Sequence, residues 1–257
     1  MKTLAFLNIK GGVGKTTSSI AFAQILSKEY SKKVLLIDLD KQANSSKAFG
    51  CYDENGIGVA ELMLSKDIII NKVIKHSEYG IDIIPASFNL MKANQEVLLD
   101  TIRPQQFRLR QQLESVKDNY DFCIIDCPTE VNMATINGLA VTDEVLIPIK
   151  VDAYAFDGLS YVVSAINDIK VFNPSLKFGG CFLTSYVRSN LNKSGKEVLK
   201  ETFGLECFDT HIRQTTKVGE ATFKKPLMDY APHCTAAIDY TNLVAEYLNN
   251  NCNWGDI

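Results

Sequence analysis

Residues 10–17 read Lys-Gly-Gly-Val-Gly-Lys-Thr-Thr and directly follow the apolar run Thr3-Leu4-Ala5-Phe6-Leu7-Asn8-Ile9. A glycine-rich octamer between a strand and a helical pattern constrains the chain to one kind of beginning, a strand, a phosphate cradle and a helix. Gly11, Gly12 and Gly14 let the backbone turn its N–H groups inward and approach an anion closely, where a Cβ would block both. The helix that follows offers its positive end to the same anion. Lys15 is then placed to reach the β and γ phosphates and the hydroxyl of Thr16 to hold Mg²⁺, with Val13 and Thr17 completing the loop. The ordinary pattern wants its first glycine where this chain has Ile9, and the chain carries an extra lysine, Lys10, instead. One lysine suffices for the bound phosphates, so Lys10 is either a surface charge or a group that works on a nucleotide held elsewhere.

That octamer resembles the deviant Walker A motif of the ParA/MinD family of P-loop ATPases. In that family the additional lysine reaches across a nucleotide-sandwich dimer to the partner's phosphates. The resemblance implies ATP and Mg²⁺ as cofactors, Lys10 and Lys15 as catalytic cations, and a homodimer held together by ATP. ATP over GTP rests on the resemblance, because the cradle reads phosphates and not the base.

The remainder of the chain reads as alternating strand and helix. A helical pattern over residues 16–30 is followed by the apolar run Lys33-Val34-Leu35-Leu36-Ile37, with further short runs at 81–84, 122–125, 145–149 and 180–183. Helical spacing appears at roughly 88–100, 104–118, 131–140, 157–172 and 192–203. This predicts an α/β fold, a mostly parallel central sheet with helices on both faces and the ligand outside the carboxyl ends of the strands. With 257 residues, 46% of them hydrophobic, the expectation is a single P-loop domain over 1–257 with an irregular tail from about 249. Seven cysteines without a C-x-x-C pair and three scattered histidines argue against a metal centre or disulfide framework. No apolar run approaches the roughly 18 residues of a membrane span, so a cytoplasmic protein is expected.

The strand ends carry the remaining chemistry. The second strand runs into Asp38-Leu39-Asp40-Lys41-Gln42-Ala43-Asn44, and period-2 alternation sends Asp38 and Asp40 to one side. Such a pair either shares a metal and a water, Asp38 as the Mg²⁺ partner and Asp40 orienting the nucleophile, or simply ends a strand. The segment resembles the family's A′ motif, where the second aspartate positions the attacking water, although Lys41 and Ala43 stand where Pro and Gly are usual. Asp126 ends the run Cys123-Ile124-Ile125, the Walker B arrangement, and would accept hydrogen bonds from magnesium-bound water or Thr16. The family commonly shows Asp-x-Pro-Pro there, and Thr129-Glu130 departs from it; Glu130 is a helix-start carboxylate or a catalytic one. Cys123 and Cys127 flank the motif as buried thiols, or as the cluster ligands that a nitrogenase-reductase-like protein would need.

The likeness also covers Thr142-Asp143-Glu144-Val145-Leu146-Ile147-Pro148-Ile149, Phe156-Asp157-Gly158-Leu159, Gly219-Glu220-Ala221 and Lys225-Pro226, and so extends over roughly residues 2–248. A net charge of −3 gives no global basic signal, but residues 186–225 hold eight Lys/Arg against five Asp/Glu. Arg188, Arg213, Lys217 and Lys224 are candidate contacts to nonspecific double-stranded DNA, the alternative being a solvated helix face. Arg213 stands where the family usually has proline, and Lys217 where it commonly has arginine. A ParA-type switch would bind DNA in its ATP state, hydrolyse ATP slowly under stimulation by a ParB-like centromere-binding protein, and associate with the nucleoid. The alternative is a ParA/MinD-like positioner of a protein cargo or membrane. Residues 238–257 contain no Lys or Arg, which makes a membrane unlikely as partner. The first strand begins at about Thr3, as in the short ParA type.

Overall fold

The computed structural model describes residues 1–152, 156 and 158–249, the side chains of Leu191 and Lys193 excepted. Among the described residues seven strands form one sheet: β1 (Lys2–Phe6), β2 (Val34–Asp38), β3 (Lys75–His76), β4 (Asp82–Ile84), β5 (Phe122–Asp126), β6 (Glu144–Lys150) and β7 (Lys177–Thr184). Their order is β3-β4-β2-β5-β1-β6-β7, parallel throughout except for the antiparallel edge strand β3. The expected α/β fold with a mostly parallel sheet is the one found.

Alternation along each strand divides the core in two. Leu4, Phe6, Val34, Leu36, Ile124 and Leu146 face α1 (Lys15–Lys28) and the C-terminal helix Thr235–Asn249. Ala5, Leu35, Ile37, Cys123, Ile125, Val145 and Ile147 face the other way, under helices Val59–Leu64, Asn89–Leu99, Met133–Leu139 and Leu159–Ile169. Burial on both faces is why these strands read as continuous apolar runs. Each fully buried Leu, Ile or Phe contributes about 1.5–3 kcal/mol, and Phe6 adds edge-on contact with Phe22 at 4.9 Å between ring centres.

One expected helix changes in the structure, and several short ones add to the expected set. The helix expected over 104–118 is a five-residue helix, Arg110–Glu114, between 3₁₀ turns at Gln105–Phe107 and Lys117–Asn119. Asp100 is the cause: its carboxylate accepts from the Ile102 and Arg103 N–H groups and from the Arg103 and Arg108 guanidiniums, which holds the entry to this stretch in a turn. Short helices at Asn44–Ala48, Ile70–Val73, Thr216–Ala221 and Leu227–Tyr230 have too few residues for a periodic signal. Asp157 and the tail beyond residue 249 lie outside the described residues.

Candidate functional site

β1 lies between β5 and β6, with β2 beyond β5, so the strand order reverses around β1 and opens a crevice at the carboxyl ends of β1, β2 and β5. The glycine loop fills that position. Gly12 and Gly14 take φ values of 71° and 92°, the left-handed region that an L side chain adopts only with strain. The loop is bolted to its neighbours: the Thr184 hydroxyl donates to the Val13 carbonyl at 2.8 Å, and Asn8 donates to the Pro148 carbonyl at 2.9 Å while accepting from the Lys10 N–H at 3.0 Å. α1 then begins at Lys15 with no side-chain cap on its first turn, where the backbone N–H groups have no intrahelical acceptor.

Lys15 is buried and turns its ammonium back to the Lys10 carbonyl at 3.0 Å. Burial pushes its pKa down, against the pull of the Asp126 carboxylate, of the Cys127 thiol and of Asp40. A desolvated ammonium beside an uncapped helix start, under glycines whose Cβ positions are open at Gly12, fits a phosphate chain in chemistry and in space. Thr16 and Thr17 sit half-buried on the same turn.

The carboxylates are arranged differently from the sequence expectation. Strand β2 ends at Asp38, whose partner across the ladder is Asp126 of β5. Both are fully buried, and burial raises both above the ordinary carboxylate range, with repulsion from Asp126 raising Asp38 further. Asp38 accepts from the Ser46 N–H at 2.9 Å, the Ser46 hydroxyl at 2.7 Å and the Asp40 N–H at 3.0 Å. Asp126 accepts from the Ser45 hydroxyl, from Ser19 at 3.3 Å and from Thr16. The side-by-side pair is thus Asp38 and Asp126, while Asp40 has left the strand and stands half-buried in a groove lined by Gln42, Asn94, Gln95, Pro128 and Thr129. Thr16 and Asp126 meet as expected. Ser19 on α1 and Ser45 and Ser46 carry no motif of their own, and the only sequence signal of the latter two is a pair of hydroxyls opening a helix too short to detect. Among the described residues no group of three or more His, Cys, Asp or Glu could hold a metal. A Thr hydroxyl with one carboxylate is nevertheless the sparse protein contribution that Mg²⁺ takes, since it keeps most of its waters.

The two departures from the family pattern meet in space. Lys41 and Glu130 form an ion pair at 2.8 Å that joins the loop carrying Asp40 to the loop after Asp126. Glu130 is held below its usual pKa by that lysine, and Lys41 above its own. Ala43 takes φ 54° and ψ 38°, the left-handed geometry a glycine would adopt freely. Lys10 does not enter the cradle with its side chain. Its ammonium pairs with Asp152, just beyond β6, another residue that no sequence motif marks. Cys123 and Cys127 are buried core thiols whose pKa values burial pushes up, as inert cysteines are.

The basic segment after β7 is less uniform. Arg213 is committed to Asp239 through its Nε and a terminal nitrogen, at 2.7–3.1 Å, and its own N–H donates to the same carboxylate. The guanidinium thus pins the C-terminal helix while its side chain stays about half exposed, in the same hollow as Arg188. Lys217 pairs with Glu220 at 2.7 Å and lies over the Tyr230 ring, and Lys224 lies over the same ring at 5.0 Å. Lys196 and Lys200 pair with Asp209 and Glu206. Arg188 is exposed in a hollow with Tyr186, His211 and Gln214. The C-terminal helix that a membrane reading would need free has Ala236, Ala237, Tyr240, Leu243, Val244 and Tyr247 buried, and no helix among the described residues is long and apolar enough to cross a membrane.

Comparison with known proteins agrees with this geometry. The AAA domain family model matches residues 1–178. The chromosome-partitioning ATPase Soj of Treponema pallidum is 36% identical over 95% of this chain and 96% of its own. The chromosome partitioning protein ParA of Caulobacter vibrioides is 31% identical over 97% of this chain and 94% of its own. Among solved structures, cobyrinic acid a,c-diamide synthase from Mycobacterium smegmatis with bound ADP and magnesium superposes with a TM-score of 0.85 at 25% identity, covering 100% of this chain and 97% of that one.

Proposed function

The chain belongs to the Soj/ParA family of partitioning ATPases, and from that premise we propose an ATP-driven, dimerising switch that segregates plasmid or chromosomal DNA. ATP with Mg²⁺ binds at residues 11–17, with Lys15 against the phosphates and Thr16 and Asp126 as the residues that hold the ion; Asp38 lies beside Asp126 on the neighbouring strand and fixes, through Ser46, the short helix that carries Ser45. The bound ion supplies charge neutralisation on the phosphates. Asp40 orients the attacking water, which its half-buried position at the mouth of the groove allows and the buried position of Asp38 does not.

The observation that carries the dimer is the separation of the two lysines. Lys15 is turned inward and buried, whereas Lys10 reaches out to Asp152, whose side chain is more than a third exposed. An ammonium outside its own cradle and exchangeable from a surface carboxylate is placed to neutralise charge on a second copy's nucleotide. Dimerisation then joins two weak basic surfaces into one that binds DNA without sequence preference. A ParB-like protein stimulates the slow hydrolysis, and loss of the γ phosphate opens the dimer. The protein acts in the cytoplasm on the nucleoid. The C-terminal helix packs on the same core as α1, which supports treating the chain as one ATPase domain and argues against membrane docking through that helix.

Binding to nonspecific duplex DNA with ATP, ADP or no nucleotide, across a salt titration, tests the reading. Binding that requires ATP, weakens steeply with salt and is lost in Lys10→Ala is expected. ATP-driven dimerisation without DNA binding in any nucleotide state would redirect the function to a protein cargo.

A further inference from the structure

The turn between helices Thr216–Ala221 and Leu227–Tyr230 carries one large apolar side chain that the fold does not use. Phe223 is 91% exposed. It does not hang from a loose tail. The Phe223 N–H donates to the Glu220 carbonyl at 3.2 Å and the Lys224 N–H to the Ala221 carbonyl at 3.0 Å, and both ends of the turn are anchored by buried Ala221, Pro226 and Leu227. The ring is therefore held out from a fixed base. Lys224 and Lys225 follow it, both exposed, and Lys224, like Lys217, lies over the Tyr230 ring.

A lone exposed apolar side chain needs no explanation. A phenyl ring followed directly in the chain by two exposed lysines, Lys224 and Lys225, is a different case. Their hydrated ammoniums discourage an apolar protein surface from settling there, and they favour a partner that offers anions around an apolar face. Duplex DNA is such a partner, with phosphates at the rims of a groove and sugars and base edges between them. A lipid surface fits less well, because an interfacial anchor needs a helix with several apolar residues on one face. Here the flanking helices have six and four residues, and Phe223 is the one large exposed apolar side chain between them.

We propose that Phe223 is a groove-contacting residue that lays its ring against the sugars and base edges of duplex DNA while Lys224 and Lys225 take flanking phosphates. The inference rests on the DNA-binding reading above and gives that surface a second chemistry. Lysine–phosphate contacts release counterions and weaken with salt, whereas burial of a ring releases none.

The test is anisotropy of labelled random-sequence duplex DNA with the full-length protein in ATP, over a range of salt. Phe223→Ala, Phe223→Trp and the double variant Lys224→Ala/Lys225→Ala are compared with the unmodified chain. Phe223→Ala is expected to weaken binding about fivefold or more at every salt concentration, with the log–log salt slope unchanged, while Phe223→Trp recovers the loss. The lysine double variant is expected to lower the slope by about two. Basal ATP turnover and thermal unfolding of Phe223→Ala stay as in the parent, which separates lost contact from lost fold. DNA binding by Phe223→Ala equal to the parent, with the lysine variant weakened, overturns the aromatic contact and leaves the DNA reading standing. No DNA binding by the parent in any nucleotide state overturns both. Sedimentation with phosphatidylglycerol vesicles that is lost in Phe223→Ala assigns the ring to a lipid surface and overturns the proposal.

Discussion

The glycine loop at residues 10–17 and the basic segment at 186–225 both stand out in the sequence by their cations, and the structure treats those cations in opposite ways. In the loop, every lysine has a position set by the backbone around it: Lys15 inward beneath the first turn of α1, Lys10 outward to Asp152. In the basic segment, Arg213 pairs with Asp239, Lys217 with Glu220, Lys196 with Asp209 and Lys200 with Glu206, each cation staying partly exposed. Spacing between glycines and a lysine encodes geometry, because the backbone conformation it demands is local. A count of charges encodes none, because the partner that neutralises a cation can lie far along the chain.

The contrast is broken most severely at Lys15. Lys15→Ala should abolish ATP binding, a loss of more than about a hundredfold in nucleotide titration, because it deletes the one buried ammonium of the cradle; retained affinity would mean that the backbone alone holds the phosphates. Next, Asp40→Ala should keep ATP binding and lose turnover by about a hundredfold or more. A fully active Asp40→Ala protein would remove the assigned water-positioning residue.

The two loops joined by Lys41 and Glu130 offer a finer test. Lys41→Glu should slow turnover severalfold by setting two carboxylates against each other, and the exchanged pair Lys41→Glu/Glu130→Lys should restore most of it; a double variant no better than the single one would show that the ion pair does not couple the loops.

Charge pairing in the basic segment predicts a gain of function. Lys217 and Tyr230 hold Glu220 down to about 2. A folded pKa lowered in this way keeps Glu220 ionised, and its stabilising contribution present, at every pH above its unfolded value near 4.3; that contribution is lost only as the pH falls toward 2. Glu220→Gln should therefore release Lys217 and raise nonspecific DNA affinity about threefold, with the same gain from about pH 6 to pH 8 and a salt slope larger by about one. An unchanged slope would place Lys217 away from DNA. The smallest expected effect is at Ala43, where Ala43→Gly relieves the left-handed backbone but removes a buried methyl and loosens the unfolded chain, so that the terms nearly cancel and Tm should move by no more than about two degrees.

Much of this protein is legible in its amino-acid sequence. The order of strands and helices, burial of the sheet on both faces, the phosphate loop, and the meeting of Thr16 with Asp126 follow from apolar periodicity and from residues whose roles are fixed within a few positions of one another. The short helix at Asn44–Ala48 and the broken stretch at 104–118 are not legible there, because four or five residues do not establish a period and a single carboxylate, Asp100, can outweigh helical spacing. Alternation places Asp38 beside Asp40, but it holds only while the strand lasts, and β2 ends at Asp38. The sequence by itself determined the sheet and the cradle, since both rest on local conformation and on burial of apolar side chains. Only the tertiary structure decided that Asp38 sits against Asp126, that Lys41 meets Glu130 89 residues away, and that Arg213 belongs to Asp239. Electrostatic partners are chosen by proximity in space, and proximity across a sheet is a property of the fold.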